Sequence, residues 1–399
     1  MAGLNTKLIH AGEAPDPTTG AIAPVVVRTK TYKWNSLDAD PKYKYSRGAN
    51  PTRQALEEKL SALEPSTDEV EKYTTTYGSG LAAESAFFLT LSPGDHIILC
   101  DEIYGGTYRL FEKILNRFNI THDYADFSNE SEESILKKIK PTTRYLFVEP
   151  LSNPSLHVTN MDTVRKVSRA AGVPVAVDAT FTPVTTFHGF LWGAEVIINS
   201  LSKYYCGHND VLAGSVTTIN PTTHDKLKLN QSTLGATLSP DEAYRVLQGI
   251  KTLSLRWEKV SNSAMKIAEW LTSQSAVARV LYPGLVTHPH HLQAKKQFTN
   301  GYGGVISFEL DPAKKDKIQS FAVEATLSGT IVLGESLASP ESLLAYPALM
   351  SHKSLSVEAR NSLHISDTFF RFSVGFEDTE DIINSLARGL NAYHKNTDL

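Results

Sequence analysis

The chain has 399 residues, 41% of them hydrophobic and 21% charged, with a formal net charge of -4. That length holds two domains with full hydrophobic cores, and the composition is that of an ordinary globular protein, neither fibrous nor disordered. The slight acidity gives no reason to expect nucleic acid or an anionic membrane surface as a partner, and no run of residues has the length and apolarity of a membrane span.

Only two cysteines occur, Cys100 and Cys206. They imply no disulfide framework and fit a reducing compartment, and the opening MAGLNTKLIHAGEAPD has no apolar leader, so the expected location is cytoplasmic. Cys206 reads as a small packed side chain. Residues 1 to about 40 are rich in Pro, Thr, Gly and Asp without periodicity and read as an extended arm, ordered only if it docks on something. Next comes the polar loop Tyr45-Ser46-Arg47-Gly48-Ala49-Asn50-Pro51-Thr52, before a helix from Arg53 to about Leu63. Tyr45 and Arg47, two residues apart on extended chain, point the same way and can grip an anion together; a solvated loop is the alternative.

A strand over Lys72 to Thr76 leads through Tyr77-Gly78-Ser79-Gly80 into an apolar helix from Leu81 to about Leu91. Glycines at such a turn leave backbone donors free at the helix start, a phosphate cradle at Gly80 and Leu81. Gly78-x-Gly80-x-x-Ala83 also matches the dinucleotide fingerprint, with Asp101 following the strand His96 to Cys100 about 20 residues on. A nicotinamide-dependent (NAD) dehydrogenase is therefore the rival reading. Against it, the motif lies well inside the chain, and a dehydrogenase has no use for the carboxylate and lysine met below. Tyr104 is placed to lie over a flat ring, with a core or loop tyrosine as the alternative.

A polar helix from about Glu130 to Lys140 precedes the strand Arg144 to Val148, whose polar tip runs Glu149-Pro150-Leu151-Ser152-Asn153-Pro154. Helix Met161 to Ala171 follows. The strand Val173 to Val177 then runs into Asp178-Ala179-Thr180, and the strand Val196 to Asn199 into Ser200, Ser202 and Lys203. This alternation argues for a mostly parallel, helix-covered sheet, in which ligands lie at the carboxyl ends of strands, so Asp178 and Lys203 converge on one crevice. Pyridoxal phosphate is the cofactor that uses such groups together. A lysine amine takes the cofactor aldehyde, a carboxylate keeps the ring nitrogen protonated, and hydroxyls bind phosphate oxygens.

Beyond Pro221 the character changes. Ser239-Pro240-Asp241-Glu242 is a capping box opening a helical region to about Ser273, and strands over Val277 to Leu281, Gly304 to Leu310 and Phe369 to Val374 alternate with helices, ending in Asp378 to His394. This is a smaller α/β domain. His288, His290 and His291 lack carboxylate or cysteine partners at ligand spacing and read as surface residues, so no metal is expected. Arg371, alone among aromatics in Phe369-Phe370-Arg371-Phe372, requires an anion: a substrate carboxylate or a structural salt bridge.

The stretch Asn199 to Val216, NSLSKYYCGHNDVLAGSV, resembles the lysine signature of the Cys/Met-metabolism (trans-sulfuration) family of pyridoxal-phosphate enzymes, and the resemblance extends over nearly the whole chain. It implies an α/β protein of fold-type I, a PLP-dependent transferase fold with a mostly parallel sheet in the large domain and a smaller C-terminal α/β domain. The implied division is an arm over residues 1-52, a cofactor domain over 53-245 and a substrate-carboxylate domain over 246-399. The resemblance further implies pyridoxal 5'-phosphate as cofactor and a small-molecule amino acid as substrate. It also implies a homo-oligomer, a dimer or dimer of dimers with shared sites. Lys203, Asp178 and Tyr104 would be catalytic, Tyr104 stacking on the ring. Gly80, Leu81, Thr180, Ser200 and Ser202 would bind cofactor, Tyr45 and Arg47 would reach it from the neighbouring subunit, and Asn153 would approach both the ring oxygen and the substrate carboxylate. Arg371 would bind that carboxylate.

The family's machinery serves both replacement and elimination. Its members read Ser-Leu-Gly-Gly followed shortly by Glu-Ser-Leu; here Ile331 to Leu343 reads IVLGESLASPESL, with Val332 where a carboxylate-binding serine is expected and a short insertion after it. In cystathionine γ-lyases a glutamate precedes that motif, where this chain has Ile331. An apolar wall leaves a distal ammonium unpaired, at a cost of several kcal/mol. The expectation is therefore γ-replacement on an activated homoserine such as O-acetyl-L-homoserine by a thiol or carbon nucleophile, as in cystathionine γ-synthase. Cystathionine or methionine lyase activity, by β- or γ-elimination, is the alternative, ahead of a dehydrogenase or a cofactor-binding protein without turnover.

Overall fold

The computed structural model describes residues 2–67, 70–350 and 365–394. The chain forms two compact units. One comprises Met1–Pro150, Asn160–Cys206 and Asp210–Ser254; the other comprises Leu151–Thr159, Gly207–Asn209 and Leu255–Leu399. The split falls beyond helix Pro240–Ile250, inside which the expected boundary at 245 lies. Residues 151–159, expected in the cofactor domain, group with the smaller unit.

The larger sheet contains β1 (Tyr73–Tyr77), β2 (His96–Cys100), β3 (Thr121–Ala125), β4 (Thr143–Val148), β5 (Val175–Asp178), β6 (Ala194–Ser200) and β7 (Gly214–Thr218), in the order β1-β7-β6-β5-β4-β2-β3. Pairings from β3 through β6 are parallel, whereas β7 is antiparallel to both β6 and β1. It follows that β1 runs with β2–β6 and β7 alone runs against them. The carboxyl ends of β1, β2, β4, β5 and β6 therefore share one edge with the amino end of β7. Strands β2 and β5 are buried throughout, as continuous apolar runs covered on both faces should be.

Three elements differ from expectation. Edge strand β3, THDYA, has too weak a pattern to be read beforehand, being buried only at its last residue. The polar helix shrinks to Glu132–Leu136, since Ile135 is the one side chain it buries. The helical region after Pro240 breaks into Pro240–Ile250 and Leu253–Thr272. Its serine cap is formed, with Ser239 Oγ accepting the Glu242 N–H at 3.2 Å, but Glu242 Oε2 takes the Ser239 hydroxyl, at 3.0 Å, and not the backbone N–H that a full capping box uses.

The amino-terminal segment docks on its own chain. Helix Leu4–His10 buries Leu8, and the fully buried Lys59 ammonium donates to the carbonyls of Leu8 and Ile9 at 2.9 and 3.1 Å. Lys59 also pairs with Glu13 at 2.9 Å, and Glu13 with Lys251 at 2.7 Å. Further on, Thr52 Oγ1 takes the Val27 N–H and donates to the Val25 carbonyl, each at 2.9 Å. Both cysteines are buried free thiols, and Cys206 Sγ donates to Asp210 at 3.5 Å.

The smaller sheet has the order β10-β11-β12-β9-β8, formed by β8 (Val277–Leu281), β9 (Val305–Leu310), β10 (Ile331–Leu333), β11 (Ser342–Ala345) and β12 (Phe369–Ser373). All its pairings are antiparallel except β10 with β11. One face packs Phe308, Ile331, Phe370 and Phe372 with Ile267, Phe321 and Leu386. His288 is buried, not a surface residue as expected: its Nδ1 accepts the His290 N–H at 3.1 Å, and burial lowers its pKa to about 3. His290 Nδ1 in turn accepts the Val158 N–H at 3.1 Å, so these rings pin the 151–159 segment. Among the described residues no cluster of His, Cys, Asp and Glu could hold a metal, and no helix is long and apolar enough to cross a membrane.

Glu64, just past helix Pro51–Leu63, is buried, and its carboxyl is pushed up to about 8 by burial, against the opposing influence of Lys72 and the Tyr205 hydroxyl. An acid whose folded pKa lies above its unfolded value holds its proton more tightly when folded. Stability from this group is therefore greatest below the unfolded value near 4.5 and declines as pH rises toward about 8. Glu64→Gln should flatten that decline, the variant gaining on the wild type between about pH 5 and about pH 8 in thermal unfolding. Parallel pH profiles for the two proteins would refute this.

Candidate functional site

At the shared edge of the larger sheet, helix Gly80–Phe88 starts directly after β1. A Cβ on Gly80 would lie 2.6 Å from Ser200 Cβ, and one on Gly214 would lie 2.2 Å from the Ser79 carbonyl oxygen. Only glycines allow this helix start to sit against the tips of β6 and β7. Ser79 Oγ caps the Ala82 N–H at 3.0 Å, which leaves the amides of Gly80 and Leu81 without helical acceptors beside the Ser200 hydroxyl. This is a cradle of the kind that binds phosphate. Ser202 Oγ is occupied with the Ala213 peptide, accepting its N–H at 2.9 Å and donating to its carbonyl at 3.2 Å, so it braces the turn that carries Lys203. The half-buried Lys203 donates its own N–H to the Ser200 carbonyl at 3.2 Å.

Asp178 ends β5, buried. It accepts the Thr180 N–H at 2.9 Å, and Thr180 Oγ1 accepts the Ser200 N–H at 2.8 Å, which laces the tips of β5 and β6 together. Burial raises the Asp178 carboxyl, while hydrogen bonds from Thr180 and Glu84 oppose the rise. Glu84 and Glu149 are buried nearby and pushed well above the carboxylate range, first by burial and then by the Asp178 charge. Among the described residues no cationic side chain pairs with Asp178 or Glu84. A protonated ring nitrogen is the cation such a carboxylate lacks. With the anion cradle and the lysine on the same edge, the residues present fit pyridoxal phosphate.

Tyr104 precedes helix Gly105–Lys113; its N–H donates to Glu149 Oε1 at 2.6 Å. Its ring packs over Gly106, where a Cβ would stand 2.3 Å from Tyr104 Cε1. Burial first, against the pull of Arg109, raises the phenol above its ordinary value, so it holds its proton. Tyr45 is 48% exposed, and Arg47 lies 5.7 Å over its ring while donating to the Ser232 carbonyl at 2.6 Å. Arg53 Nη2 supports this loop through the Arg47 carbonyl at 3.3 Å. Within this chain the described residues show no bond from Tyr45 or Arg47 to Gly80, Ser200 or Lys203.

In the smaller unit, Arg371 Nη1 donates to Asn153 Oδ1 at 2.9 Å and Nη2 to the Ser336 carbonyl at 2.7 Å. Across the sheet from Arg371 stands Ser307, whose hydroxyl donates to the Pro154 carbonyl at 2.5 Å and so anchors the segment bearing Asn153. Ser336 and Ala338 both adopt left-handed backbone, with φ of 82° and 63°, and the Ala338 N–H donates to Ser373 Oγ at 3.0 Å. The expected apolar wall loses one member: Ile331 is 1% exposed and belongs to the core, while Val332, next on β10, is 45% exposed. Side chains alternate along a strand, so the two cannot face the same way.

The dinucleotide reading is overturned. In a dinucleotide-binding unit the first two strands are parallel neighbours; here β7, β6, β5 and β4 lie between β1 and β2. Asp101 at the tip of β2 is pushed up to about 6, first by burial and then by Asp126 and Glu102, surroundings unlike a ribose site. Sequence reasoning missed Glu84 and Thr107, whose hydroxyl donates to Glu84 Oε2 at 2.6 Å. The one signal was a lone carboxylate in the apolar run LAAESAFFL.

A family model described as Cys/Met metabolism PLP-dependent enzyme matches residues 5–391. The cystathionine beta-lyase of Lactococcus lactis subsp. cremoris (strain MG1363) is 39% identical over 392 residues, covering 98% of this chain and 99% of that protein. The cystathionine gamma-lyase of Bacillus subtilis (strain 168) is 36% identical over 385 residues, covering 96% and 98%. Among solved structures, cystathionine gamma-lyase from Lactobacillus plantarum complexed with L-serine superposes with a TM-score of 0.91 at 34% identity, covering 98% of this chain and 99% of that one. Cystathionine gamma synthase from Xanthomonas oryzae pv. oryzae in complex with aminoacrylate and cysteine gives a TM-score of 0.91 at 31% identity, with the same coverage.

Because Gly106 leaves room for the Tyr104 ring, Gly106→Ala should displace that ring. The expected result is a changed visible spectrum of the pyridoxal-phosphate-loaded protein and a fall in turnover of about a hundredfold, the scale that a misplacement of about 1 Å can produce. An unchanged spectrum and rate would show that the ring position is immaterial.

Proposed function

This chain belongs to the Cys/Met metabolism family of pyridoxal-phosphate-dependent enzymes, and from that premise we propose that it is a lyase cleaving the carbon–sulfur bond of a cystathionine-type amino acid. The observation that carries this reading is the end-to-end likeness to cystathionine beta-lyase at 39% identity. Ile331 lies in the core and so does not contribute to an apolar wall that would favour replacement over cleavage. γ-Replacement on an activated homoserine is the second reading, favoured by the likeness to the Xanthomonas cystathionine gamma synthase.

When bound, pyridoxal phosphate supplies an aldehyde for the substrate amine and a protonated ring that withdraws electrons from Cα. In this reading Gly80, Leu81 and Ser200 hold the phosphate, with Ser202 bracing the turn, and Asp178, oriented by Thr180, faces the ring nitrogen. Tyr104 would pack against the ring. Lys203 would hold the cofactor through its aldehyde carbon and would move the proton at Cα. Arg371, held by Asn153 and the Ser336 carbonyl, presents its guanidinium to the substrate carboxylate. Val332 and Leu333, next to each other on β10, are each 45% exposed.

Product analysis with L-cystathionine separates the outcomes. Homocysteine, pyruvate and ammonia identify β-elimination; cysteine, 2-oxobutanoate and ammonia identify γ-elimination. No cleavage, together with an adduct from O-acetyl-L-homoserine and a thiol, would overturn the lyase reading in favour of the second. Lys203→Ala should abolish turnover in either case, and an active variant would sink both.

The exposed Tyr45 and Arg47 support a role in a neighbouring subunit's site and hence an obligate homo-oligomer. Mixing Arg47→Ala subunits with Lys203→Ala subunits should then restore part of the activity, since some sites combine an intact Lys203 with an intact Arg47. Absence of rescue in confirmed mixed oligomers would assign both residues to their own chain's site.

A further inference from the structure

Glu84 is an acid with no counter-ion among the described residues, buried to 3% exposure in helix Gly80–Phe88, on the turn after the phosphate cradle. Thr107 Oγ1, on the helix that Tyr104 leads, donates to its Oε2 at 2.6 Å. Its carboxyl also lies near that of Asp178, whose charge adds to burial in pushing Glu84 well above the carboxylate range. Two carboxyl groups can be hydrogen-bonded only if one keeps its proton. Asp178 already accepts the Thr180 N–H at 2.9 Å, which favours its anion. Glu84 has the single Thr107 donor and faces the charges of Asp178 and Glu149. The proton of such a pair therefore belongs to Glu84.

We propose that Glu84 is a neutral positioning residue, donating its carboxylic O–H to Asp178 so that the Asp178 carboxylate stays ionised and oriented for the ring nitrogen of the cofactor. This rests on the reading of Asp178 as the partner of that nitrogen. Through Thr107 the same side chain ties the helix that Tyr104 leads to the tip of β5. Asp178 then receives donors from Thr180 and Glu84 and keeps acceptor capacity for the ring N–H. If Glu84 were ionised instead, two adjacent anions would compete for one ring cation.

The test uses holoenzyme loaded with pyridoxal phosphate isotope-labelled at the ring nitrogen, whose NMR shift reports directly whether that nitrogen carries a proton. Glu84→Gln keeps a donor for Asp178 and an acceptor for Thr107, whereas Glu84→Met keeps the volume and loses both. The expected result is a protonated ring nitrogen in the wild type and in Glu84→Gln. In Glu84→Met the nitrogen should lose its proton about one pH unit lower, and cofactor affinity should fall about tenfold. The wild type should also show the infrared carbonyl band of a protonated carboxyl that Glu84→Gln lacks; this comparison decides the matter even if Glu84→Met does not fold. Three results would overturn the proposal: wild-type titration in Glu84→Met, equal loss in Glu84→Gln and Glu84→Met, or no carboxyl band lost in Glu84→Gln. Asp178→Asn keeps the two failures apart. A ring that stays protonated in that variant refutes the role of Asp178 itself, while loss there without loss in Glu84→Met refutes only the role of Glu84.

Discussion

A carboxylate buried at the end of a strand is costly unless its surroundings answer the charge, and the larger unit is arranged around that cost at Asp178. Thr180 turns its amide back onto the carboxylate and uses its hydroxyl to tie in Ser200, so the group that satisfies the anion also fixes the tip of the next strand. Reversal of β7 completes the arrangement. Because β7 runs against its neighbours, its amino end brings Gly214 to the edge where the other strands finish. A helix start can then press between the tips of β6 and β7 where any side chain larger than hydrogen would collide.

Much of this was legible in the sequence because buried parallel strands read as unbroken apolar runs. VAVD and VIINS announced both their strands and their loaded tips. Gly80 was readable through the steric demand of a strand-to-helix turn, and Arg371 through the oddity of one guanidinium among phenylalanines. What stayed hidden depends on relations that periodicity does not encode. Glu84 looks like a misplaced polar residue until Thr107 and Asp178 are seen beside it. Ile331 and Val332 look equivalent until the register of β10 turns one inward. His288 resembles a surface histidine until its neighbours cover it.

The smaller unit solves a different problem: holding a guanidinium still. Arg371 lies on the face of β12 opposite Phe370 and Phe372, and its two terminal nitrogens are held by a side-chain amide oxygen and a backbone carbonyl. Both of these acceptors are neutral, and they orient the guanidinium. The carbonyl comes from a stretch with two non-glycine residues in left-handed backbone, a conformation that costs of order 1 kcal/mol or more each. The stretch after Val332 thus places a strained turn beside Arg371.

The amino-terminal segment carries a geometric consequence. It is stitched at Glu13 through Lys59, at Val25 and Val27 through Thr52, and at Thr31 through a bridge to Tyr45. Between stitches only short spans are free to leave the body, and a span of about ten residues tethered at both ends can project no further than about 17 Å. Its reach is that of a short loop and not of a tail. Any surface that meets Ile22 or Leu37, the most exposed apolar side chains here, must itself approach closely.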